Sequence, residues 1–581
     1  MNSIVEEFEY LSQKCKSCVA IKDDITGYSL TFQEFNQNIN KIVKILNNFN
    51  INKNEKIIIF LKNHPLWHVI DLAIMKNHNV SIPCDPISNF EEIKTILKQT
   101  NSKAIFTDNI KFINDIKTEE NITIFYVGII DLEKSTNVFN LEKELKNTKY
   151  DDIVFKLDNP DEVASILFSS GTMGVPKGVM LSHKNLFLAL QDHKRIFEFN
   201  QQSQSNCVSI LSPSHISPRL NTLALLLGCN TIIYSDYISY FDTVKKYKPK
   251  YLLCVPKLLD IFIEEYKKEL LNKSKLFQVF HKVFFNISGL YIKNKQNILK
   301  FILRVFSFIG YKYFFKQLIK NILNLSTTIF TAGALLQEYS EQFFNVMGMN
   351  LIVQYGLTES CVYISSGTLI NSKVGSVGKI NSNVDIIICD SQTGKKLNYN
   401  EIGLIKVKGN QIMKGYYNDD EKTKEVFDDN GYLITGDLGY LTKDNYLYFK
   451  GRQKDIIVLS NGKNINLIKL ESICKHSKFI KQIVICGQDR PYLTALVVVD
   501  KNYVDEFLRD DNEKDLKKEI LMDINNLIGD DKYFKWIEQI KDIRYINEEF
   551  SYENGFLTKK YNIKRNKIYE VYKKLIDEMY Q

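Results

Sequence analysis

From Ala164 to Gly178 the chain reads ASILFSSGTMGVPKG. The first half is an apolar run suited to a buried strand. The second is a turn of hydroxyl residues and glycines that closes on Pro176, Lys177 and Gly178. Such a loop, leaving the end of a strand, presents backbone N–H groups, side-chain O–H groups and one ammonium to a polyphosphate. It is not a GxxxxGK[ST] loop, since Lys177 stands between proline and glycine. For these residues alone the plain alternative is a solvent-exposed turn.

The rhythm of the text on either side sets the fold class. From about Thr31, helix-like segments such as FQEFNQNINKIVKILNNF alternate with the β-rich runs KIIIFL, NVSIPCD, KAIFTD and ITIFYV. That alternation argues for α/β layers with parallel strands. From Gly403 the runs LIKVKG, YLITGDLGYLT and YLYFKGR read as the short strands of a β-rich subdomain. After Arg452, KQIVICG and TALVVVD as strands and DEFLRDDNEKDLKKEILMDINNLI as a charged helix make a separate α+β unit. The expected fold is therefore α/β, with a large N-terminal region (1–451) of two α/β subdomains plus a small β subdomain, and an α+β C-terminal domain (452–581).

Composition narrows the classes. With 581 residues, 44% hydrophobic and 25% charged, disordered, collagen-like and disulfide-scaffold readings drop out. MNSIVEEFEY lacks a basic start followed by an apolar stretch, so no secretory signal is expected. No apolar run reaches the roughly 20 residues of a spanning helix. Cys15 and Cys18 make a CxxC without a second pair at zinc spacing, and free thiols in a reducing cytoplasm are expected. The net charge of +8 is too mild to point to nucleic acid.

The loop at 169–178 resembles the signature of the adenylate-forming superfamily, the AMP-binding acyl-CoA synthetases and their relatives. The resemblance runs in order from about Tyr28 to Tyr580, through CVPKLLD (Cys254–Asp260), TAGALL (Thr331–Leu336), QYGLTES (Gln354–Ser360) and GSVGK (Gly375–Lys379). It continues through KGNQIMKGYY (Lys408–Tyr417), TGDLGY (Thr435–Tyr440) and GRQKDIIVLSNGKNI (Gly451–Ile465). It implies that Ser169, Ser170, Gly171, Thr172, Gly174 and Lys177 cradle the phosphates of ATP, and that Gly333 and Ala334 let backbone approach adenine closely. Tyr355, flanked by Gln354 and Gly356, would offer a flat ring to the purine. Thr358 would meet the phosphate of AMP, and Glu359 with Thr172 would hold Mg²⁺. Asp437 would accept from the ribose hydroxyls, with Arg452 near ribose and phosphate. His215, in LSPSHIS, aligns with a position beside the acyl and phosphate sites. Lys454 would be the hinge of a mobile C-terminal domain, and the Asn461-Gly462-Lys463 loop would shape the thiol tunnel for CoA.

The reaction implied is acyl activation: a carboxylate attacks the α-phosphorus of ATP, pyrophosphate leaves, and a thiol captures the adenylate. Such chemistry needs positioning and charge neutralisation more than a protein nucleophile, with Thr172, Lys177, His215, Glu359 and Lys454 as the implied catalytic set. The long-chain branch of the superfamily supplies the expected activity, an ATP- and Mg²⁺-dependent long-chain fatty acid–CoA ligase. Acyl-AMP or acyl-carrier-protein ligation stays open. So does a catalytically weak nucleotide- or acyl-binding protein, because the closing pattern departs from the family. Aligned without a gap from Leu557-Thr558 to Lys564-Arg565, the family lysine falls on Asn562. A neutral amide in place of an ammonium costs on the order of 10² to 10³ in rate, unless Lys560 or Lys564 substitutes. Met173, Leu404 and Ser212 also depart from the usual Thr, Gly-Glu pattern and Pro.

The charge is concentrated. From Glu264 to Lys320 stand twelve basic residues against three acidic, a net +9 that leaves −1 for the rest of the chain. This segment lies within a basic helical insertion, 262–327, where cationic and bulky apolar residues alternate. The expectation is peripheral contact of 264–320 with an anionic inner membrane surface of an otherwise cytoplasmic protein. A core helix with a solvated lysine face is the alternative.

Overall fold

Thr31 opens the first long helix by a reciprocal cap. Its hydroxyl accepts the Glu34 N–H at 3.2 Å, and the Glu34 carboxylate accepts the Thr31 N–H at 2.8 Å. The helix, Phe32–Asn48, then buries Phe35, Ile39, Ile42 and Leu46 along one face. The computed structural model describes residues 3–117, 121–128, 136–169, 176–197, 204–293, 297–322, 327–368, 371–461, 463–500, 513–530, 539–557 and 563–581.

Two large sheets organise the N-terminal region. Sheet A has nine strands in the order Lys379–Ile380, Val362–Ser366, Asn350–Leu357, Thr328–Thr331, Tyr251–Cys254, Asn206–Ser209, Thr231–Tyr234, Val19–Asp23, Ser29–Thr31. It is parallel in its middle and antiparallel at both edges. Sheet B has eight, in the order Gly415–Tyr416, Lys177–Ser182, Val163–Ser169, Val80–Pro83, Lys56–Phe60, Ala104–Thr107, Thr123–Tyr126, Val138–Asn140. Its first two strands run antiparallel to their neighbours and the rest are parallel. Strands such as VSIP and AIFT are buried at every position, which suits parallel sheets covered on both faces. Sheet C is antiparallel, Val384–Cys389, Gly403–Gly409, Leu433–Leu441 and Leu447–Arg452, and forms the β subdomain.

The smaller C-terminal domain carries a three-stranded sheet of Ile480–Cys486, Leu493–Val499 and Ile540–Tyr545, packed by the helix Glu513–Asp530. The start expected for that helix, upstream of 513, lies outside the described residues. Its apolar cores draw only on residues from Ile457 to Met579, while the core that joins sheets A, B and C ends at Leu447. The fold is thus the expected mixed α/β arrangement of a large N-terminal and a small C-terminal domain.

Sheets A and B are locked together by a buried charge pair. Arg219, on the helix Ile216–Leu227, donates to both carboxylate oxygens of Asp71, on the helix Leu66–Lys76, at 2.8 and 2.7 Å. Its third contact is Ser165 Oγ at 2.9 Å, on the strand that leads to the loop at 170–175. Both partners are fully buried. The expectation of free thiols is corrected at one pair: Cys15 and Cys229 form a disulfide across 214 residues, while Cys18 is free. The N-terminal helix brings Cys15 to the turn that follows Leu227, a meeting that spacing in the sequence does not signal. Among the described residues no helix is long and apolar enough to cross a membrane.

Candidate active site

The stretch Asn410–Tyr417 fastens the two sheets at one point. Asn185 holds the carbonyls of Asn410 and Ile412 at 2.7 and 3.1 Å, and Gln411 donates to the carbonyls of Ser360 and Tyr363 at 3.0 and 2.9 Å. Met413 N–H donates to the Glu359 carbonyl at 2.8 Å, and Tyr417 N–H to the Gly178 carbonyl at 2.7 Å. Tyr416 pairs with Val179 at the edge of sheet B. The motifs QYGLTES and PKG, nearly 180 residues apart in the chain, are thereby held on either side of one short strand.

Tyr416 is the residue between them. Its hydroxyl donates to Glu359 Oε1 at 3.0 Å, and Lys177 Nζ lies 5.2 Å from the centre of its ring. Burial, then the Glu359 charge, pushes the Tyr416 hydroxyl above its ordinary range, so it stays a donor. Lys177 faces Ser169 in register across the strand pair that carries the loop. Ser170, Gly171, Thr172 and Gly174 lie outside the described residues, as does Met173.

A second cluster joins sheets A and C. Asp437, paired in register with Arg452, is almost wholly buried. Its Oδ2 accepts the Tyr355 hydroxyl at 2.7 Å, and its Oδ1 lies 3.4 Å from Arg452 Nε yet accepts no hydrogen bond. Burial raises the Asp437 carboxyl above the usual range against the pull of Arg452 and of the Tyr355 bond. The Tyr355 ring is buried with Phe449 at 5.4 Å between centroids. Gln354 Oε1 and Thr331 Oγ1 are likewise buried without a partner among the described residues. Thr331 and Gln354 sit at the carboxyl ends of neighbouring parallel strands, where open α/β sheets take their ligands. A buried acceptor left unpaired costs about 1–3 kcal/mol, so each of these atoms calls for a polar partner. Gly333, just beyond Thr331, has φ +89° with open space where a Cβ would lie, so backbone conformation and not crowding demands glycine there.

The turn after Glu359 is strained. Cys361 and Val362 have φ of +50° and +84°, and a β-branched residue in that region costs on the order of 1–3 kcal/mol. Ser360 holds the turn: its hydroxyl accepts the Leu357 N–H at 2.9 Å and bonds the Val362 carbonyl at 2.8 Å. A Cβ on Gly356 would fall 1.4 Å from the Val362 carbonyl oxygen, so only glycine lets the two strands close there. Thr358 and Glu359 stand half-buried at the tip.

His215 begins the helix Ile216–Leu227 and places Nε2 3.1 Å from Asp85 Oδ2. Tyr552 of the C-terminal domain has its hydroxyl raised by burial and by the charges of Glu92 and Asp85, which sets the segment 551–557 beside the same corner. Thr558 to Asn562, Lys560 among them, lie outside the described residues. Lys564 N–H bonds the Phe556 carbonyl at 2.8 Å. Arg565 grips Glu471 with two bonds of 2.5 and 2.7 Å inside the C-terminal domain. Lys454 is exposed in the short turn Gln453–Asp455, directly after Arg452. Gly462 is outside the described residues and Lys463 begins the return strand side of that loop. The structure thus brings Lys177 with Glu359, and Gln354, Tyr355, Asp437 and Arg452 together. Sequence reading named neither Tyr416 nor Asp85; the doubled tyrosine of KGYY was the one available signal.

The family model described as "AMP-binding enzyme" matches residues 9–417, and that described as "AMP-binding enzyme C-terminal domain" matches 454–581. The chain belongs to the AMP-binding enzyme family. It is an adenylate-forming enzyme of the acyl-activating ligase group. It is 26% identical to probable acyl-activating enzyme 16, chloroplastic, of Arabidopsis thaliana, over 95% of this chain and 85% of that protein. It is 25% identical to the Arabidopsis long-chain-fatty-acid--[acyl-carrier-protein] ligase AEE15, chloroplastic, over 95% and 82%. It is 26% identical to long-chain-fatty-acid--CoA ligase 5 of Rattus norvegicus, over 90% and 80%. Among solved structures, ATP-bound MatB from Rhodopseudomonas palustris superposes with a TM-score of 0.73 at 20% identity, covering 99% of this chain and all of that one.

Proposed function

We propose that the chain condenses a long-chain fatty acid with ATP and passes the acyl group to CoA. In the first step a carboxylate oxygen of the acid bonds to the α-phosphorus and the bond to pyrophosphate breaks. In the second the thiol sulfur bonds to the acyl carbon, AMP leaves with the carboxylate-derived oxygen, and the thiol proton goes to solvent. The observation that carries this reading is the buried Oδ1 of Asp437, which accepts no hydrogen bond although Arg452 lies beside it, with Gln354 Oε1 and Thr331 Oγ1 also buried without a partner among the described residues. A nucleoside with two ribose hydroxyls and a hydrogen-bonding base would satisfy such acceptors. Lys177 would meet the polyphosphate, and the Tyr416 ring and hydroxyl would keep it in line with Glu359.

Among the described residues no group of three acidic, His or Cys side chains could hold a metal alone. A single half-buried carboxylate, Glu359, fits Mg²⁺, which takes one or two carboxylates and completes its shell with phosphate oxygens and water. When bound, that ion would neutralise charge developing on the phosphates. The roles of Thr172, Thr358, His215, Lys454, Gly462 and Lys463 and the division at 451/452 belong to the same reading. The compartment proposed is the cytoplasm.

The carrier-protein acceptor is a second reading, favoured by the likeness to the plant acyl-carrier-protein ligase. ATP–pyrophosphate exchange across a panel of fatty acids, followed by product analysis with CoA or holo-carrier protein, separates the two. Exchange with long-chain acids and thioester on CoA is expected, as the names of the long-chain relatives suggest. Thioester on the carrier protein alone would favour the second reading, and no exchange with any acid would overturn both.

A further inference from the structure

The helical insertion leaves an apolar, cationic face uncovered. Its first helix, Lys275–Lys293, turns Phe277, His281, Phe284 and Ser288 inward, with Tyr266 Oη and His281 Nε2 at 2.8 Å and Phe285 5.9 Å from Phe343. The other face is apolar too. Leu276, Val283 and Leu290, each seven residues from the next, are 67, 47 and 58% exposed, with Phe280 between them. On the second helix, Asn297–Gly310, Ile302, Val305, Phe306 and Phe308 are also exposed. The two helices pack on each other, so their stripes are presented on one hairpin. A helix apolar on both faces is ordinarily buried, and an exposed stripe of this extent marks an interaction surface. The helix then passes through a π-helical turn, Tyr311–Phe315, where Tyr313 is 60% exposed.

Its charge identifies the partner. No Asp or Glu occurs between Glu269 and Glu338, while Lys275, Lys282, Arg304, Lys312, Lys316 and Lys320 in that interval are all exposed. Among the described residues the nearby ion pairs, Lys267–Glu264 and Lys268–Glu265, lie upstream of it. We propose that this hairpin docks on an anionic lipid bilayer, with the apolar stripes in the headgroup boundary and the lysines on lipid phosphates. A second copy of the chain is the poorer occupant, because a two-fold interface sets the same patch against itself and would bring uncompensated cations together. The proposal goes beyond acid activation and does not depend on it.

Co-sedimentation of the full chain with vesicles tests it. Binding is expected to phosphatidylcholine vesicles containing about 30% phosphatidylglycerol and not to pure phosphatidylcholine, weakening as salt rises above about 0.1 M. The triple variant K275A/K282A/K312A should bind on the order of a hundredfold less tightly. V283S/V305S should lose binding that low salt does not restore. Unchanged ATP–pyrophosphate exchange with a soluble short acid shows that the variants are folded. If the parent protein exchanges with no acid, far-ultraviolet circular dichroism and a cooperative melt serve instead. Absence of binding to the anionic vesicles, equal binding to both compositions, or variants that bind like the parent would overturn the proposal. So would a dimer, by light scattering, that the same variants abolish, since that would assign the face to a second copy.

Discussion

Tyr416 does two jobs with one side chain: its hydroxyl fixes the Glu359 carboxylate and its ring lies under the Lys177 ammonium. Tyr416→Phe keeps the ring and deletes the bond, and a hydrogen bond to a charged group is worth about 1.5–3 kcal/mol. AMP formation should fall at least about tenfold, with a higher Mg²⁺ concentration needed for half-maximal rate. An unchanged rate and Mg²⁺ curve would show that Glu359 needs no such support. At this scale the sequence was legible where a residue type has few other uses, as with the Asp437 and Arg452 that face each other across two strands. It was silent about Tyr416, because a tyrosine in an apolar motif reads as core until its hydroxyl is seen to have a carboxylate partner. It gave no sign that Arg565, in the basic cluster at the C-terminus, is spent on Glu471 inside its own domain.

Between elements, polar groups buried far from their partners in sequence set the geometry. Asp71 and Arg219 are 148 residues apart and tie sheet A to sheet B beneath the strand Val163–Ser169. Asp71→Ala would strand a buried guanidinium, and the expected loss is about 3–5 kcal/mol by urea denaturation. A loss under about 1 kcal/mol would mean that the site is hydrated. Glu341 is a second such group: its carboxylate accepts the Gly375 N–H at 3.0 and 2.9 Å, pinning the helix Glu338–Val346 to the GSVGK turn. Burial raises its carboxyl from 4.5 to about 7 despite that bond. The folded state therefore holds this proton where the unfolded chain has released it. The contribution is full below about pH 4.5 and is lost as pH rises through about 7, a decline of roughly 3 kcal/mol. Glu341→Gln removes the titration, so the stability difference between parent and variant should change across that window and be flat above it. A difference that stays constant with pH would refute the raised value. The strands of these elements were readable from their apolar runs. Their pairings across sheets, like the Cys15–Cys229 bond, were not, because contacts between distant segments leave no local period.

The whole molecule is a catalytic body of near-neutral charge that carries one cationic hairpin, with a separately cored C-terminal domain set beside the His215 corner through Tyr552. The order of motifs made this plan legible from end to end, whereas the exposed apolar stripes became visible only once the inward face of the hairpin was known. The proposed activity turns on an acyl adenylate formed from the acid's own carboxylate. Isotope transfer reads that step directly. With a long-chain acid labelled with ¹⁸O in both carboxyl oxygens, ATP and CoA, mass spectrometry should find one labelled oxygen in each AMP and none in pyrophosphate. Label absent from AMP, or present in pyrophosphate or in inorganic phosphate, would contradict the account.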